Sequence, residues 1–156
     1  MKIELLQIGK TVDSYLREGI QMYEKRVKNY ISYETVTLID LKMASSLPIE
    51  QQKNMEGKAI LNKVSSDAYL ILLDERGDCL TSVEFSNFIQ KQMLKGLKNV
   101  IFVIGGPYGF SQEVYNRANS KISLSKMTFS HQLVRLIFIE QLYRAMTILK
   151  NEPYHH

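Results

Sequence analysis

The sequence contains one cysteine, Cys79. A lone thiol excludes an internal disulfide and a cysteine-built zinc cage. Histidine is scarce too. His131, His155 and His156 are the whole supply, and with few acids near them a metal site is not expected. Long hydrophobic runs are missing: the longest unbroken apolar stretch goes from Ala68 to Leu73, far short of the roughly 20 residues that cross a bilayer. The opening Met1-Lys2-Ile3-Glu4 puts an acid among too few apolar residues for a secretory leader. No internal repeat or low-complexity tract breaks the chain. Together these absences set the expectation of a reduced, cytoplasmic protein with no membrane and no metal partner.

What is present fits one globular domain, 1–156, since domains run to roughly 100–200 residues. A chain of that length buries a full core without staples. The net charge of +4 is unevenly placed. Residues 1–80 hold 11 Lys/Arg against 12 Asp/Glu, and residues 81–156 hold 9 against 4, so the two halves carry −1 and +5. Such a basic half attracts a phosphate-rich partner, with a pull that weakens in salt. A small excess on a solvated face is the plainer reading.

Strands alternate with helices along the chain. Lys2 to Ile8 is β-type, and Gly9 punctuates it. Val12, Tyr15, Leu16, Ile20, Tyr23, Val27 and Tyr30 recur at helical spacing. Tyr33 to Ile39 is β-branched and reads as a strand, and Asp40 to Leu47 as a polar loop. Pro48 suits the first turn of a helix running to about Val64, whose weak apolar pattern suggests a surface element. Ala68 to Leu73 is a strand buried on both faces, with Glu75-Arg76-Gly77-Asp78 as the turn after it. Thr81 and Glu84 form a capping box ahead of a helix burying Phe85, Phe88, Ile89, Met93 and Leu97. Asn99 to Ile104 is the second buried strand. Ser111 is placed to cap a short helix ending near Ala118, with Glu113 in its first turn. Lys121 to Leu124 is a last short strand, and His131 to Lys150 a long helix stopped near Pro153. This alternation means an α/β fold with a mostly parallel sheet flanked by helices. The final helix is apolar on nearly every side, which marks it as buried. One face is expected to meet a second subunit, with a central core helix in a monomer as the alternative. Glu140 and Arg144, four apart, can pair along it.

Three segments could carry chemistry. Gly105-Gly106-Pro107-Tyr108-Gly109 leaves the end of a buried strand, where parallel sheets bind ligands. It matches neither a dinucleotide fingerprint nor a P-loop, and a tight turn explains it as well. Leu124-Ser125-Lys126-Met127-Thr128-Phe129-Ser130-His131 connects a strand to a helix; a capped helix start explains that too. The tail Pro153-Tyr154-His155-His156 offers a ring to stack on a base and imidazoles to hydrogen-bond it. A terminal histidine pair is also what a purification tag leaves behind.

Taken in order, Phe102 to Gly109, Ser123 to Phe129, His131-Gln132-Leu133-Val134-Arg135, Glu140-Gln141-Leu142-Tyr143-Arg144-Ala145 and the closing Pro153-Tyr154-His155 resemble the large-subunit ribosomal RNA methyltransferase H family of the SPOUT superfamily. The likeness extends over essentially the whole chain, including Met1-Lys2-Ile3 and Tyr23-Glu24-Lys25-Arg26. It implies a SPOUT-type α/β fold with a C-terminal trefoil knot, a homodimer, and S-adenosylmethionine as donor. The implied donor pocket comprises Leu73, Gly105, and the loop Leu124, Ser125, Lys126, Met127, Thr128 and Phe129. The implied reaction methylates N3 of a pseudouridine in helix 69 of 23S rRNA on the assembled ribosome. Two positions depart from the family. Ser130 replaces a frequent proline and is expected to loosen the helix start. His156 replaces a frequent Lys or Arg and removes a phosphate contact.

Methyl transfer from a sulfonium depends mainly on alignment of donor and acceptor, and an imide N3 must lose its proton to attack. His155 or His131 is the expected base, with Arg144 stabilising charge and Tyr154 holding the nucleobase. The rival readings are a non-catalytic ribosome-binding or assembly factor on the same fold, and a doubly wound nucleotide enzyme that lacks its phosphate fingerprint.

Overall fold

The computed structural model describes residues 1–38 and 46–156. The expected end of the second strand at Ile39, and residues 40–45 of the expected loop, lie outside the described residues. Among the described residues, five strands, β1 (Lys2–Ile8), β2 (Ser32–Leu38), β3 (Tyr69–Cys79), β4 (Asn99–Ile104) and β5 (Ser120–Ser123), alternate with five helices. The helices are α1 (Ser14–Val27), α2 (Ile49–Lys63), α3 (Ser82–Leu94), α4 (Gln112–Arg117) and α5 (Leu133–Leu149). The sheet order is β2-β1-β4-β3-β5. Every neighbouring pair is parallel, so the expected mostly parallel sheet is wholly parallel.

The period-2 alternation of strand side chains divides the core in two. Ile3, Leu5, Ile71, Val100, Phe102 and Ile104 pack with α1, α3 and α5 on one face. Leu6, Ile8, Leu70, Leu72, Ile101 and Val103 pack with α2 and α4 on the other. Phe102 sits at the centre of the first layer, its ring 4.9 Å from that of Phe138 and 6.1 Å from that of Phe85. Helix α5 buries Phe138, Ile139, Leu142, Ala145 and Met146 in this layer. The remaining apolar residues of the helix are only partly covered, and Leu133 at its start stays exposed.

Local chemistry explains several element ends. The Thr81–Glu84 capping box forms as expected, with the hydroxyl accepting from the Glu84 N–H at 3.2 Å and the carboxylate accepting from the Thr81 N–H at 2.7 Å. Ser111 precedes α4 but makes no capping bond; its hydroxyl is buried without a partner among the described residues. The last helix begins at Leu133 rather than His131. Ser130, expected to loosen that start, instead accepts the Leu133 N–H at 3.1 Å, a bond proline could not offer.

Two expectations fail for non-local reasons. Helix α2 is not a plain surface helix, because Gln52, Glu56, Gly57 and Ile60 are all buried. The segment Glu75 to Asp78 is not a turn ending the strand, because β3 runs on to Cys79. Leu73 and Asp78 both pair with Ile122 of β5, with the register shift between them. The chain therefore bows out over Asp74 to Gly77 and returns to the same partner. The return requires glycine, since a Cβ on Gly77 would stand 2.5 Å from the Ile122 backbone nitrogen.

Gly77→Ala is accordingly expected to destabilise the fold by about 3 kcal/mol through this backbone collision. Urea denaturation measures the loss, and a change below about 0.5 kcal/mol would contradict the close approach.

Candidate active site

The C-terminal ends of β3, β4 and β5 open on one edge of the sheet, and the segments leaving them enclose a crevice of about 540 Å³. That volume suits a small molecule or cofactor. Leu73, Gly105 and the whole stretch Leu124 to Phe129 line it, so all eight positions expected to hold a donor lie around one space. His131 and Val134 close one side.

Each wall has its own support. In the glycine turn, the Gly109 N–H donates to the Gly106 carbonyl at 3.2 Å. In the second loop, the Ser123 hydroxyl donates to the Ser125 carbonyl at 2.8 Å, and the Met127 N–H donates to the Ser125 hydroxyl at 2.9 Å. No backbone-to-backbone bond engages residues 125–129 among the described residues, so that loop keeps backbone donors and acceptors for a ligand. The third wall is the bow of β3. Asp74 accepts a hydrogen bond from the Tyr115 hydroxyl, and the Arg76 N–H donates to the same carboxylate at 2.7 Å. Burial, then the Asp74 contact, pushes the Tyr115 phenol up to about 12, so it stays protonated and acts as a donor. Lys121 lies over the Tyr115 ring at 5.7 Å.

The start of α5 is clamped to the loop between β1 and α1. The Gln132 amide accepts from the Val12 N–H at 2.9 Å and donates to the Lys10 carbonyl at 3.1 Å. Arg135 is buried and donates to the Ile8 carbonyl at 2.7 Å and to the Thr11 hydroxyl at 3.0 Å. Burial lowers its guanidinium to about 10, which leaves it charged at neutral pH. His131, partly buried near this cation, is pushed below the ordinary imidazole value. It is therefore neutral near pH 7 and able to accept a proton.

The other three expected catalytic residues lie elsewhere. Arg144 pairs with Glu140, Nη2 to Oε1 at 2.6 Å, as the four-residue spacing suggested. The Tyr154 hydroxyl donates to the same Glu140 oxygen at 3.0 Å and stands 3.2 Å from that of Tyr23. Arg144 Nη1 lies 3.4 Å from His155 Nδ1, and the guanidinium covers the Tyr154 ring at 4.7 Å. The Glu140 bond holds Arg144 firmly charged, and burial raises the Tyr154 phenol. From Leu133 to Arg144 along α5 is about 16 Å at the helical rise. Within one chain, only His131 of the four borders the crevice.

Reading the residues alone missed Asp74, Tyr115 and Gln132. Their roles depend on partners 41 and 120 positions away, and no local pattern signals them. Among the described residues, no group of His, Cys, Asp or Glu is arranged to hold a metal. Nor is any helix among them long and apolar enough to cross a membrane.

A family model described as "Predicted SPOUT methyltransferase" matches residues 1–155. The chain is 58% identical over 156 residues to a ribosomal RNA large subunit methyltransferase H from Christiangramia forsetii, covering 100% of this chain and 99% of the relative. A protein of the same name from Parabacteroides distasonis is 54% identical with the same coverage. Among solved structures, a probable methylase family protein from Haemophilus influenzae Rd KW20 superposes with a TM-score of 0.50. That match covers 99% of this chain and 70% of the other at 11% identity, which speaks for the fold alone.

The placement of His131 has a direct readout. Its imidazole is expected to titrate below 6.5 in the folded chain, followed by NMR of the ring resonances. A midpoint at or above 6.5 would contradict the burial and the influence of Arg135.

Proposed function

This chain belongs to the SPOUT methyltransferase family, and from that premise we propose that it methylates N3 of a pseudouridine in helix 69 of 23S rRNA on the assembled ribosome, with S-adenosylmethionine as donor. The observation that carries the reading is the convergence of Leu73, Gly105 and Leu124 to Phe129 on one crevice. The near relatives, named as ribosomal RNA large subunit methyltransferases, support the RNA substrate. The basic second half supports a phosphate-rich partner. The same reading takes 1–156 as a single methyltransferase domain working in the cytoplasm without a metal. It also includes a trefoil knot in the C-terminal part, a reading that rests on the likeness to the SPOUT family.

The crevice fits the donor chemically. Backbone groups along residues 125–129, beside Gly105, are available to an adenine edge. Charges of both signs line it, Asp74 and Glu75 with Arg76 and Lys126, which suits a ligand that itself carries both signs. When bound, the donor supplies an electrophilic methyl group on a sulfonium. The chain's own work is then alignment, exclusion of water and removal of one proton from the imide nitrogen. His131, neutral and at the crevice wall, is placed to take that proton.

Arg144, Tyr154 and His155 enter the reading through a second copy of the chain. Held together by Glu140 and remote from the crevice of their own chain, they would serve as a preassembled unit presented to the partner's crevice. In that homodimer, Tyr154 holds the nucleobase, Arg144 stabilises the anion, and His155 shares the proton with His131. One subunit then docks on the ribosome while the other supplies the donor.

The test is tritiated methyl transfer from adenosylmethionine to ribosomes lacking the modification, compared with ribosomes lacking the pseudouridine. Incorporation into the first and none into the second is expected; equal labelling, or none in either, would refute the assignment. Single-turnover rates refine it. His131→Ala or His155→Ala should slow transfer by about 10²-fold or more, with donor affinity measured separately. Full rates in both variants would remove histidine from the role of base.

A further inference from the structure

Helix α2 turns a polar face inward. Gln52, Glu56 and Gly57 are buried, and Glu56 is only 3% exposed. A buried carboxylate is costly unless other groups compensate it. Among the described residues, no cation forms an ion pair with Glu56. Its polar neighbours are the Gln52 amide, which donates at 3.3 Å, and the backbone N–H of Gly106. Burial raises the carboxyl, and these two contacts draw it partway back.

Gly106 begins the turn that walls the crevice. Its carbonyl accepts from Gly109, and its Cα faces α2. A Cβ on residue 106 would stand 2.7 Å from Glu56 Oε2 and 2.8 Å from Oε1. The carboxylate fills the space that any other residue's side chain would need. One position along α2, a Cβ on Gly57 would strike the Ser111 hydroxyl, just past the far end of the same turn. Helix α2 therefore grips the turn on both sides. A well-packed apolar pair would serve a core better than this carboxylate.

We propose that Glu56 is a positioning residue: its carboxylate, seated where a Cβ of residue 106 would lie, holds the Gly106–Gly109 turn in the shape that receives the adenosyl donor. This rests on the donor-pocket reading above and extends it to a residue that touches no ligand. A turn held before the ligand arrives costs no ordering when the ligand binds. The effect therefore falls on donor affinity, with the KM for ribosomes unchanged.

Calorimetric titration of the full chain with adenosylmethionine and with adenosylhomocysteine tests this, reading Kd and stoichiometry separately. A merely structural role would lower the binding-competent fraction and leave the Kd of the remainder unmoved. Glu56→Ala and Gly106→Ala are each expected to weaken binding about tenfold at full stoichiometry, the size of one lost contact to a charged group. Glu56→Gln, which keeps an acceptor in place, should stay within about threefold of the parent chain. Gly106→Ala should cost less when Glu56 is also alanine, because the methyl then has room. Parent-like Kd values in both single alanine variants would overturn the proposal. Should Glu56→Ala not fold, Gly106→Ala decides alone, with a parent-like Kd again the contrary result. If the parent chain itself binds neither ligand, the donor-pocket reading fails and takes this inference with it. If the parent binds and the variants match it, only the role of Glu56 is lost.

Discussion

Everything in this molecule follows from one constraint: the five strands among the described residues all run the same way. In a wholly parallel sheet every C-terminal strand end falls on one edge. Leu73, Ile104 and Ser123 therefore leave the sheet side by side, though they are far apart in the chain. The near-continuous apolar strands β3 and β4 are what make that arrangement stable, since both faces of each are covered. The helices on either face are then obliged to pack, and the loops at the shared edge are left to serve function.

The edge is shaped by close backbone approaches more than by side-chain bulk. Asp74 to Gly77 swing out and return to Ile122, bringing Asp74 and Arg76 onto the crevice wall. Gly106 lets its turn settle against Glu56. The loop 125–129 is pinned by its own serines and keeps backbone polarity to spare. Such a crevice presents many main-chain groups, so few of its residues announce themselves by type. On the far side of α5, Glu140 binds both Arg144 and Tyr154. The crevice and this cluster are built separately, which is why the proposed reaction calls on a pair of chains.

Much of this was legible in the residues. The two buried strands, the capping box at Thr81 and the Glu140–Arg144 pair all rest on neighbours within a few positions, where local pattern decides. The likeness of the late loops to a known family points to residues that line the crevice. What local pattern missed depends on distant partners. Glu75 to Asp78 has the composition of a turn, yet pairing with β5 keeps it in the strand. Helix α2 has a weak apolar face because part of its buried face is polar, gripping a turn 50 residues further on. Ser130 stands where proline is frequent, and its hydroxyl accepts the Leu133 N–H at the start of α5. His131 and His155 looked equivalent as bases until the fold set them at opposite ends of α5.

The central claim is that the late loops close around an adenosyl donor at the shared strand edge. A crystal structure of the protein with adenosylhomocysteine tests it most directly. The ligand is expected between Gly105 and the backbone of 125–129, with Leu73 beneath it and His131 at the open side. A ligand seated elsewhere, or a crevice that stays closed at saturating ligand, would contradict the account.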